Sequence, residues 1–346
     1  MRPIKLSDLP PPGKGQKGWP WTEASPDIIP GENILNWPKI SIITPSYNQG
    51  EFIEETIRSV LLQGYPNLEY IVIDGGSTDN TVEILQKYKP FLKYVSEPDR
   101  GQADAINKGL KMSTGEIVAY LNSDDVYVQG VFSKIAKLFE SRKDIFMVFG
   151  DIIHIDNKSK YIEKHETGEI NLQKYLMGMF YLPQPTVFFR KNIIDKIGYF
   201  DDTLHLAMDY DYWLQIILNF KTFYIHEPLA KARIYHDAKS SSLDYGYLNE
   251  RLYILNKLSC KYPEIGRDKE KFLGYSFFIG GLTYLRKKRL YEAFKSIINS
   301  SRINPYYLVN PHLFWAILEF FIGKKYALRI KPIFKKIYRK NIDDII

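Results

Sequence analysis

Two adjacent carboxylates, Asp124 and Asp125, follow an apolar run at residues 116–121 and are separated from it by Asn122 and Ser123. The run is typical of a buried strand, and two carboxylates at its end cost free energy unless a cation or a hydrogen-bonding ligand uses them. Ligands of open α/β sheets bind at the carboxyl ends of strands. The pair therefore predicts a site for a phosphate and Mg²⁺ or Mn²⁺, which prefer oxygen ligands. The alternative is a turn that caps the helix expected from Val131.

A polar segment also ends the first predicted strand, at residues 44–48. Pro45 is expected to stop the hydrogen-bond ladder, and Asn48 favours a turn. Tyr47 offers a flat face to a base, and Thr44 offers a hydroxyl. The alternative is an ordinary polar turn between a strand and a helix.

The next predicted strand ends in Asp74, which two glycines follow. Glycine lets the backbone approach a ligand closely, and Asp74 can accept hydrogen bonds from a base or a ribose. The alternative is a glycine turn that caps the next helix. The sequence has neither a G-x-G-x-x-G after a strand nor a G-x-x-x-x-G-K-[ST], which argues against dehydrogenases and P-loop enzymes.

Later in the chain, Asp209 lies at the start of an apolar helix, where the helix dipole favours an ionised carboxylate. Such a carboxylate can act as a general base, although an acid at a helix start needs no functional explanation. Arg233 can steady a diphosphate and His236 can ligate a metal. A lone histidine is also often structural.

Strand-like and helix-like patterns alternate from Lys39 to about Gly150, which predicts βαβ units and a mostly parallel sheet flanked by helices. The pattern is mixed to about Asp237 and helical beyond Ser240. We expect a proline- and tryptophan-rich arm at 1–38, an α/β domain at 39–240 and a helical region at 241–346.

Composition is ordinary for a globular protein, with 45% hydrophobic and 25% charged residues. The sequence contains no run of about 20 apolar residues, so we predict no membrane-spanning helix. The N-terminus does not resemble a secretory signal. The single cysteine, Cys260, excludes an internal disulfide and fits a reducing cytoplasm. The net charge is +7, and eight Lys or Arg with no acid lie between Lys324 and Lys340.

The two ends of the chain have unusual compositions. Residues 1–38 hold eight of the 19 prolines and three of the five tryptophans, which favours an extended arm packed on the domain over a disordered leader. The basic stretch after the apolar segment 314–321 fits peripheral attachment to the anionic inner face of the cell membrane. The alternative is a helical cap whose basic face is solvated.

Taken in order, five segments resemble the family 2 glycosyltransferases with the GT-A fold, and the resemblance covers about residues 39–240. The matching segments are Ile42-Ile43-Thr44-Pro45-Ser46-Tyr47-Asn48, Val72-Ile73-Asp74-Gly75-Gly76-Ser77-Thr78-Asp79, Gly101-Gln102-Ala103-Asp104-Ala105-Ile106-Asn107-Lys108-Gly109, Leu121-Asn122-Ser123-Asp124-Asp125 and Met208-Asp209-Tyr210. The resemblance implies an inverting, metal-dependent transfer of a sugar from a nucleotide-diphosphate donor to a glycan or lipid-linked acceptor, in bacterial surface polysaccharide or glycolipid synthesis.

The resemblance also implies roles for individual residues. It makes Asp209 the catalytic base. It places the nucleotide and the donor sugar at Thr44, Pro45, Tyr47, Asn48, Asp74, Gln102, Asp104, Asn107, Asp124 and Arg233. It makes Asp124, Asp125 and His236 ligands of Mg²⁺ or Mn²⁺. Gln184-Pro185 is expected beside the acceptor, although packing explains these two residues as well.

Three positions depart from the family pattern. Asn122 stands where the metal motif often has Asp, Gly75 where a second Asp often follows Asp74, and Met208 where an acid often precedes the base. Asn122 weakens one metal or ribose contact. Gly75 leaves open which nucleotide base the site selects.

Two other functions compete with transfer. One is a non-catalytic nucleotide-sugar-binding scaffold, against which the presence of Asp124, Asp125 and Asp209 argues. The other is a nucleotidyltransferase on a related fold, which favours a glycine- and basic-rich loop after the first strand. Nucleic-acid binding is not expected, because the basic residues gather in the tail.

Overall fold

The computed structural model describes residues 2–27, 37–235 and 245–323, together with positions 326, 327 and 329. The chain forms two compact units. The first comprises Met1–Leu172 and Phe180–Ser242, and the second comprises Gln173–Met179 and Leu243–Ile346. The predicted domain boundaries at 39 and 240 stay a prediction.

The first unit is an α/β structure. Its strands are β1 (Ile40–Ser46), β2 (Leu68–Asp74), β3 (Lys93–Ser96), β4 (Ile117–Tyr120), β5 (Val126–Tyr127), β6 (Met147–Ile155), β7 (Tyr161–His165), β8 (Phe188–Arg190) and β9 (Thr222–Arg233). Its helices are α1 (Ile53–Leu61), α2 (Thr81–Tyr88), α3 (Gln102–Met112), α4 (Val131–Ser141), α6 (Ile194–Ile197) and α7 (Met208–Asn219), while α5 (Leu172–Met177) spans the change to the second unit.

The described strands form one sheet in the order β3-β2-β1-β4-β8-β6-β9-β5, with β7 paired to β6. Strands β1 to β4 are mutually parallel where they pair, as the alternating pattern predicted. Beyond β4 the sheet is mixed, because β8 runs antiparallel to both β4 and β6 while β9 is parallel to β6. The predicted α/β fold with a sheet flanked by helices is confirmed, and the antiparallel pairs of β8 belong to the later part of the unit, where the sequence pattern is mixed.

The predicted role of Pro45 is only partly correct. Pairing with β4 ends at Ile43, opposite Tyr120, which is where a residue without an amide hydrogen is expected to stop the ladder. Pairing with β2 continues through Pro45 to Ser46, which lies opposite Asp74. Pro45 thus limits the ladder on one side of β1 only.

Apolar side chains on both faces of the sheet explain the fold. The central strands β1, β2 and β4 are almost wholly buried, which matches their continuous apolar sequences. Helix α1 adds Ile53, Ile57 and Val60 to the same core at helical spacing.

The proline-rich arm packs on the first unit, as its tryptophans predicted. Trp19 Nε1 donates to the carbonyl oxygen of Tyr127 at 2.8 Å, and the Trp37 side chain is buried in the core. The buried Arg58 guanidinium donates to the carbonyl oxygens of Pro10, Pro20 and Trp21 at 2.9–3.1 Å. Residues 28–36 of the predicted arm lie outside the described part of the chain.

The second unit is helical, as expected beyond Ser240. Its further helices are α8 (Tyr245–Lys261), α9 (Pro263–Arg286), α10 (Leu290–Ile303) and α11 (Pro311–Ile322). Its core includes Phe278, Leu282, Ile297 and Leu313. Among the described residues, no helix combines the length and the apolar character needed to cross a membrane.

Candidate functional site

The carboxyl ends of β1, β2 and β4 meet at one edge of the sheet. Ser46 and Asp74 lie opposite each other in β1 and β2, and the amide of Leu121 donates to the carbonyl oxygen of Ile43 at 2.9 Å. The residues that follow these strands therefore converge there. The candidate site forms at this edge, as predicted for ligands of an open α/β sheet.

Asp74 and Asn48 organise the loops at this edge. The Asp74 carboxylate accepts hydrogen bonds from the Ser77 amide at 3.0 Å and from Ser96 Oγ at 2.6 Å. Asn48, at φ +51°, accepts from the Thr78 amide at 2.8 Å, while its own amide donates to Ser77 Oγ at 2.7 Å. Asn48 thus joins the loops after β1 and β2, whereas Asp74 holds the loop after β2 to the end of β3.

The segment after β1 presents one large side chain to solvent. Tyr47 is 60% exposed, and its ring is accessible for stacking on a base. The side chains of Thr44 and Pro45 are buried, and the Thr44 hydroxyl lies 3.1 Å from the Tyr70 hydroxyl. The side chains of Thr44 and Pro45, which are predicted to contact the donor, are therefore not exposed to a ligand. Ser46, which belongs to the same segment but has no predicted role, has a buried Oγ without a hydrogen-bond partner in the described part of the chain.

Gly75 has a steric reason to be glycine. A Cβ atom built there would lie 2.7 Å from the Asp99 carboxylate, and the next residue, Gly76, has φ +83°. A second aspartate at position 75 would bring like charges into contact. In this chain the Asp99 carboxylate occupies the space that a side chain at position 75 would need.

The acid pair lies in the loop of residues 122–125, which we name the acid loop. Asp125 is buried, and its carboxylate accepts from the Arg233 amide at 3.1 Å and from Asn122 Nδ2 at 3.4 Å. Asp124 accepts from the Tyr235 hydroxyl at 3.0 Å. Burial raises the pKa of both carboxyl groups, and the charge of Asp124 raises that of Asp125 further. Ionising both groups therefore costs free energy, which a bound cation would offset.

Arg233 holds the acid loop rather than facing solvent. Its guanidinium, 1% exposed, donates to the Asp124 carbonyl oxygen at 2.9 Å and to the Glu55 carboxylate at 2.8 Å. Two more hydrogen bonds reach the Asp156 carbonyl oxygen and Ser159 Oγ, both at 3.0 Å. A direct diphosphate contact, as predicted, would need these bonds to break. The geometry makes Arg233 a positioning residue, and the sequence motif did not show its partners.

Helix α1 holds the acid loop from another side. The buried Thr56 hydroxyl lies within hydrogen-bond distance of two carbonyl oxygens, those of Ser123 at 2.9 Å and Asp125 at 2.7 Å. One turn later, Ser59 Oγ accepts from the Tyr127 amide at 3.1 Å. The i, i+3 spacing places these hydroxyls on one face of α1. Thr56 and Ser59 lie outside the sequence motifs, and a hydroxyl on a largely apolar helix carries no local signal of its distant partners.

The three predicted donor-sugar residues of α3 have different surroundings. Gln102 Nε2 donates to Asn122 Oδ1 at 2.7 Å, so Gln102 contacts the acid loop. Asp104 instead pairs with Arg100 at 2.9 Å. Asn107 is buried and bonds both the amide and the carbonyl oxygen of Phe200, at 3.0 and 2.8 Å. Of the three, Gln102 is the one that the structure connects to the acid pair.

Asp209 lies in the first turn of α7, and its carboxylate accepts from the Tyr210 amide at 2.8 Å. The dipole of α7 stabilises its negative charge. Burial raises the pKa of the Tyr120 hydroxyl, and the charges of Asp209 and Asp125 raise it further. Tyr120 also stacks on Trp213 of α7 with ring centroids 6.2 Å apart, so the helix that begins with Asp209 packs against the end of β4 that leads to the acid loop.

The donor atoms present fit a magnesium or manganese ion. The described residues contain no group of three His, Cys, Asp or Glu side chains that could hold a metal by themselves. Asp124 and Asp125 supply carboxylate oxygens, and Mg²⁺ commonly takes one or two carboxylates while phosphate and water complete its shell. His236, the third predicted ligand, lies outside the described residues.

The fold and the sequence both have known relatives. The structure is similar to a crystal structure of S. aureus TarS 1-349 in complex with UDP-GlcNAc, with a TM-score of 0.60 and 19% identity over 85% of this chain and 91% of that one. A longer TarS structure gives a TM-score of 0.55 and 19% identity, and the match covers 77% of this chain and 49% of that chain. At these identities, the likeness shows the GT-A fold.

Sequence relatives carry the family assignment. An uncharacterised glycosyltransferase of Rickettsia typhi is 31% identical over 225 residues, which is 62% of this chain and 69% of that protein. The putative teichuronic acid biosynthesis glycosyltransferase TuaG of Bacillus subtilis is 30% identical over 220 residues, 60% of this chain and 84% of TuaG. Residues 41–198 match the family model described as glycosyl transferase family 2. The chain is a glycosyltransferase and belongs to glycosyl transferase family 2.

Proposed function

We propose that this glycosyltransferase moves a sugar from a nucleoside-diphosphate donor to a hydroxyl group of a glycan or lipid-linked acceptor, with inversion at the anomeric carbon. The observation that carries the proposal is the packing of α7, whose first turn holds Asp209, against Tyr120 at the end of β4 that leads to the buried acid pair. A diphosphate leaving group needs positive charge, and an attacking hydroxyl needs a base. The acid pair can hold a cation that supplies the positive charge, and Asp209 can serve as the base.

The donor would lie along the ends of β1, β2 and β4. Exposed Tyr47 would stack on the nucleotide base. The loops after β1 and β2, which Asn48 joins and within which Asp74 binds Ser77, would surround the nucleoside. TarS has been crystallised with UDP-GlcNAc, which makes UDP-sugars the first donors to test. The diphosphate would reach the acid loop.

Asp209 would act as the general base. Its carboxylate takes the proton of the acceptor hydroxyl while that oxygen attacks the anomeric carbon from the face opposite the diphosphate. The bond from the anomeric carbon to the diphosphate oxygen breaks, and the nucleoside diphosphate leaves with the electron pair. One displacement of this kind inverts the anomeric configuration.

Asp124 and Asp125 would hold the metal ion. When bound, Mg²⁺ or Mn²⁺ neutralises charge on the diphosphate. Arg233 and Thr56 keep the acid loop in place, since they bind its carbonyl oxygens. The carboxylates are thereby directed to the ligand without being consumed by an internal ion pair.

The test is the release of nucleoside diphosphate from a panel of nucleotide sugars, with Mn²⁺, Mg²⁺ or EDTA. Metal-dependent release from one donor supports the proposal and identifies that donor. Tight donor binding without release, even with lipid-linked acceptors added, would instead favour the non-catalytic scaffold. Failure to bind any donor would refute both.

The base assignment has its own variant. Asp209→Asn should lower turnover on the order of 10²–10⁴-fold while donor affinity changes little, because only proton transfer is lost. Asp202→Asn is a matched control, since Asp202 pairs with the exposed Arg100 on the surface. Near wild-type transfer by Asp209→Asn would show that another group is the base. NMR of the product made from an α-linked donor would show a β linkage if inversion is correct.

We also propose peripheral contact of the second unit with an anionic lipid surface. Helix α11 exposes Phe314, Ile317 and Phe321 at i, i+3 and i+7, with Phe321 76% exposed. The basic stretch Lys324–Lys340 follows directly in the sequence, although most of it lies outside the described residues. An apolar helix face beside a run of positive charge suits a membrane surface that carries anionic headgroups. Lipid-linked acceptors would then be met at that surface.

Sedimentation with vesicles tests this contact. The wild-type protein should pellet with vesicles that contain phosphatidylglycerol, less so at high salt, and hardly with neutral vesicles. Phe321→Asp should reduce the bound fraction, whereas Met112→Asp, at an exposed position of α3 in the first unit, should not. Equal binding by Phe321→Asp would show that α11 does not form the contact.

A further inference from the structure

Gln184 has a buried amide oxygen with no hydrogen-bond partner in the described part of the chain. The residue is 8% exposed, and its Nε2 donates to the Tyr120 carbonyl oxygen at 2.7 Å. A carbonyl oxygen can only accept, so the amide nitrogen must face Tyr120. The orientation of the side chain is therefore fixed, and Oε1 is held ready for an O–H or N–H donor.

A buried acceptor without a partner is costly and needs an explanation. Most buried polar atoms of folded proteins are satisfied, and one explanation for an exception is a bound partner that completes it. The Tyr120 peptide, which anchors Gln184, lies at the end of β4, directly before the acid loop. The hydrogen bond to Tyr120 thus holds the unsatisfied oxygen beside the end of β4, which the acid loop follows.

An aromatic side chain lies three residues before Gln184. Tyr181 is 50% exposed, and the ring of His165 packs against it edge to face with centroids 5.3 Å apart. His165 in turn stacks on His154 at 6.5 Å, at the start of the β6–β7 hairpin. Nearby atoms that exclude water raise the pKa of the Tyr181 hydroxyl, and the charges of Asp125 and Asp209 raise it further. Tyr181 is therefore within electrostatic range of Asp125 and of the proposed base, Asp209.

We propose that Gln184 and Tyr181 form the binding subsite for the acceptor sugar, with Gln184 Oε1 accepting a hydroxyl and the Tyr181 ring stacking on the pyranose. The inference rests on the proposed function and assigns one part of that site. A pyranose combines apolar C–H faces with a rim of hydroxyl groups. An exposed aromatic ring beside a fixed acceptor matches both features.

The sheet order separates this subsite from the donor. The loops after β1 and β2 lie on one side of β4, and β8, which follows Gln184 in the chain, lies on the other. The nucleoside is expected on the first side, near Tyr47 and Asp74. A sugar at Gln184 and Tyr181 would approach the anomeric carbon from the side of Asp209.

The experiment separates acceptor binding from donor binding. Donor hydrolysis, in which water replaces the acceptor, is measured first as nucleoside diphosphate release from the donor alone. Transfer is then measured with a panel of p-nitrophenyl α- and β-glycosides of glucose, galactose and N-acetylglucosamine. Gln184→Leu and Tyr181→Ala should each raise the acceptor KM by about five- to tenfold, the effect of one lost hydrogen bond or contact. Donor KM and the hydrolysis rate should stay within about twofold of the wild-type values.

Two further variants sharpen the result. Tyr181→Phe keeps the ring and should keep the acceptor KM, whereas loss of general packing at this position would affect both variants. Tyr199→Ala is the matched control, because exposed Tyr199 lines a cavity with Glu116 and Arg190 at the opposite end of β4. Since Tyr181 is half exposed, its alanine variant should fold even if Gln184→Leu does not.

The other possible outcomes would each contradict either the acceptor subsite or the proposed function. An unchanged acceptor KM in Tyr181→Ala, or a raised donor KM in Gln184→Leu, would refute the acceptor subsite while transfer itself stands. If the wild-type enzyme hydrolyses the donor but no glycoside in the panel accelerates nucleotide release, a carbohydrate subsite at this place is refuted. If the wild-type protein releases no nucleotide from any donor, the proposed function fails instead.

Discussion

Arg233→Lys tests whether the acid loop depends on a buried guanidinium. Arg233 donates to two backbone carbonyl oxygens, of Asp124 and Asp156, and to the side chains of Glu55 and Ser159. Its guanidinium also lies 4.6 Å from the centre of the Phe52 ring. Lysine keeps the charge, but a single ammonium group cannot reproduce the planar fork that reaches acceptors on several sides. We expect the lysine to keep Glu55 and to lose the two carbonyl oxygens.

The structure sets the size of the effect. Each lost hydrogen bond from a charged donor is worth about 1.5–3 kcal/mol, so the loss of two should destabilise the first unit by about 3 kcal/mol or more. For a unit of this size, a loss of about 3 kcal/mol lowers the Tm by roughly 6–12 °C. Turnover should also fall at temperatures where the variant is fully folded, because the Asp124 carbonyl oxygen loses its hydrogen bond from Arg233.

Thermal unfolding of the wild type, Arg233→Lys, Glu55→Gln and the double variant completes the assay. Because the Arg233 and Glu55 side chains are 1% and 12% exposed, the coupling energy from this cycle should be about 2 kcal/mol or more. Arg142→Lys is the control, since the pair of Arg142 with Asp144 is exposed and should contribute less than about 1 kcal/mol. An Arg233→Lys protein that melts within about 2 °C of the wild type, with normal turnover, would refute the reasoning.

Three further predictions use other buried polar groups. Burial opposes the charged form of Glu69, but hydrogen bonds from Ser41 and Thr114 outweigh it and lower the pKa of Glu69 to about 2 from 4.5. Its carboxylate therefore stabilises the fold above about pH 4.5, and Glu69→Gln should cost about 2–3 kcal/mol at pH 7 and less than half of that at pH 3 in urea unfolding. Thr56→Val, which removes the hydroxyl bound to the acid-loop carbonyl oxygens, should weaken Mn²⁺ binding in calorimetry by about tenfold, whereas Thr56→Ser should not; equal binding by both would contradict the positioning role. Arg58→Met should leave the carbonyl oxygens of the arm without their donor, so limited proteolysis should cut residues 2–27 faster than in the wild type, and an unchanged rate would show that the arm is held by its apolar contacts alone.

Sequence periodicity predicted the regular half of the fold well. Helix α2, Thr81–Tyr88, is one of the helices that the alternating pattern predicts, because its apolar residues recur at helical spacing between polar turns. The 12-residue strand β9, Thr222–Arg233, was not predicted as one element. Glu227 and Pro228 interrupt its apolar pattern, and the register with β6 shifts next to Pro228. Tertiary pairing with β6, which no local pattern encodes, keeps β9 continuous.

The motifs located the edge of the sheet but did not determine which atoms are available to a ligand. Thr44 and Asn107 belong to the matching segments, yet Thr44 is buried against Tyr70 and Asn107 binds the Phe200 peptide. Gln184 shows the converse, since no motif marked its amide oxygen as unsatisfied. A motif records residue types and spacing, whereas availability depends on partners that are distant in the sequence.

Helix α1 explains why the arm and the acid loop share one structural support. Thr56 binds the acid loop, and Arg58, two residues later, binds three carbonyl oxygens of the arm. Residues two apart on a helix point in different directions, so one short helix can serve both partners. Trp19 adds a direct link, because its indole donates to the Tyr127 carbonyl oxygen in β5, two residues beyond the acid pair. Displacing the arm would therefore remove hydrogen-bond partners from α1 and from β5, the strand that follows the acid loop. The position of residues 2–27 is in this way connected to the geometry of Asp125.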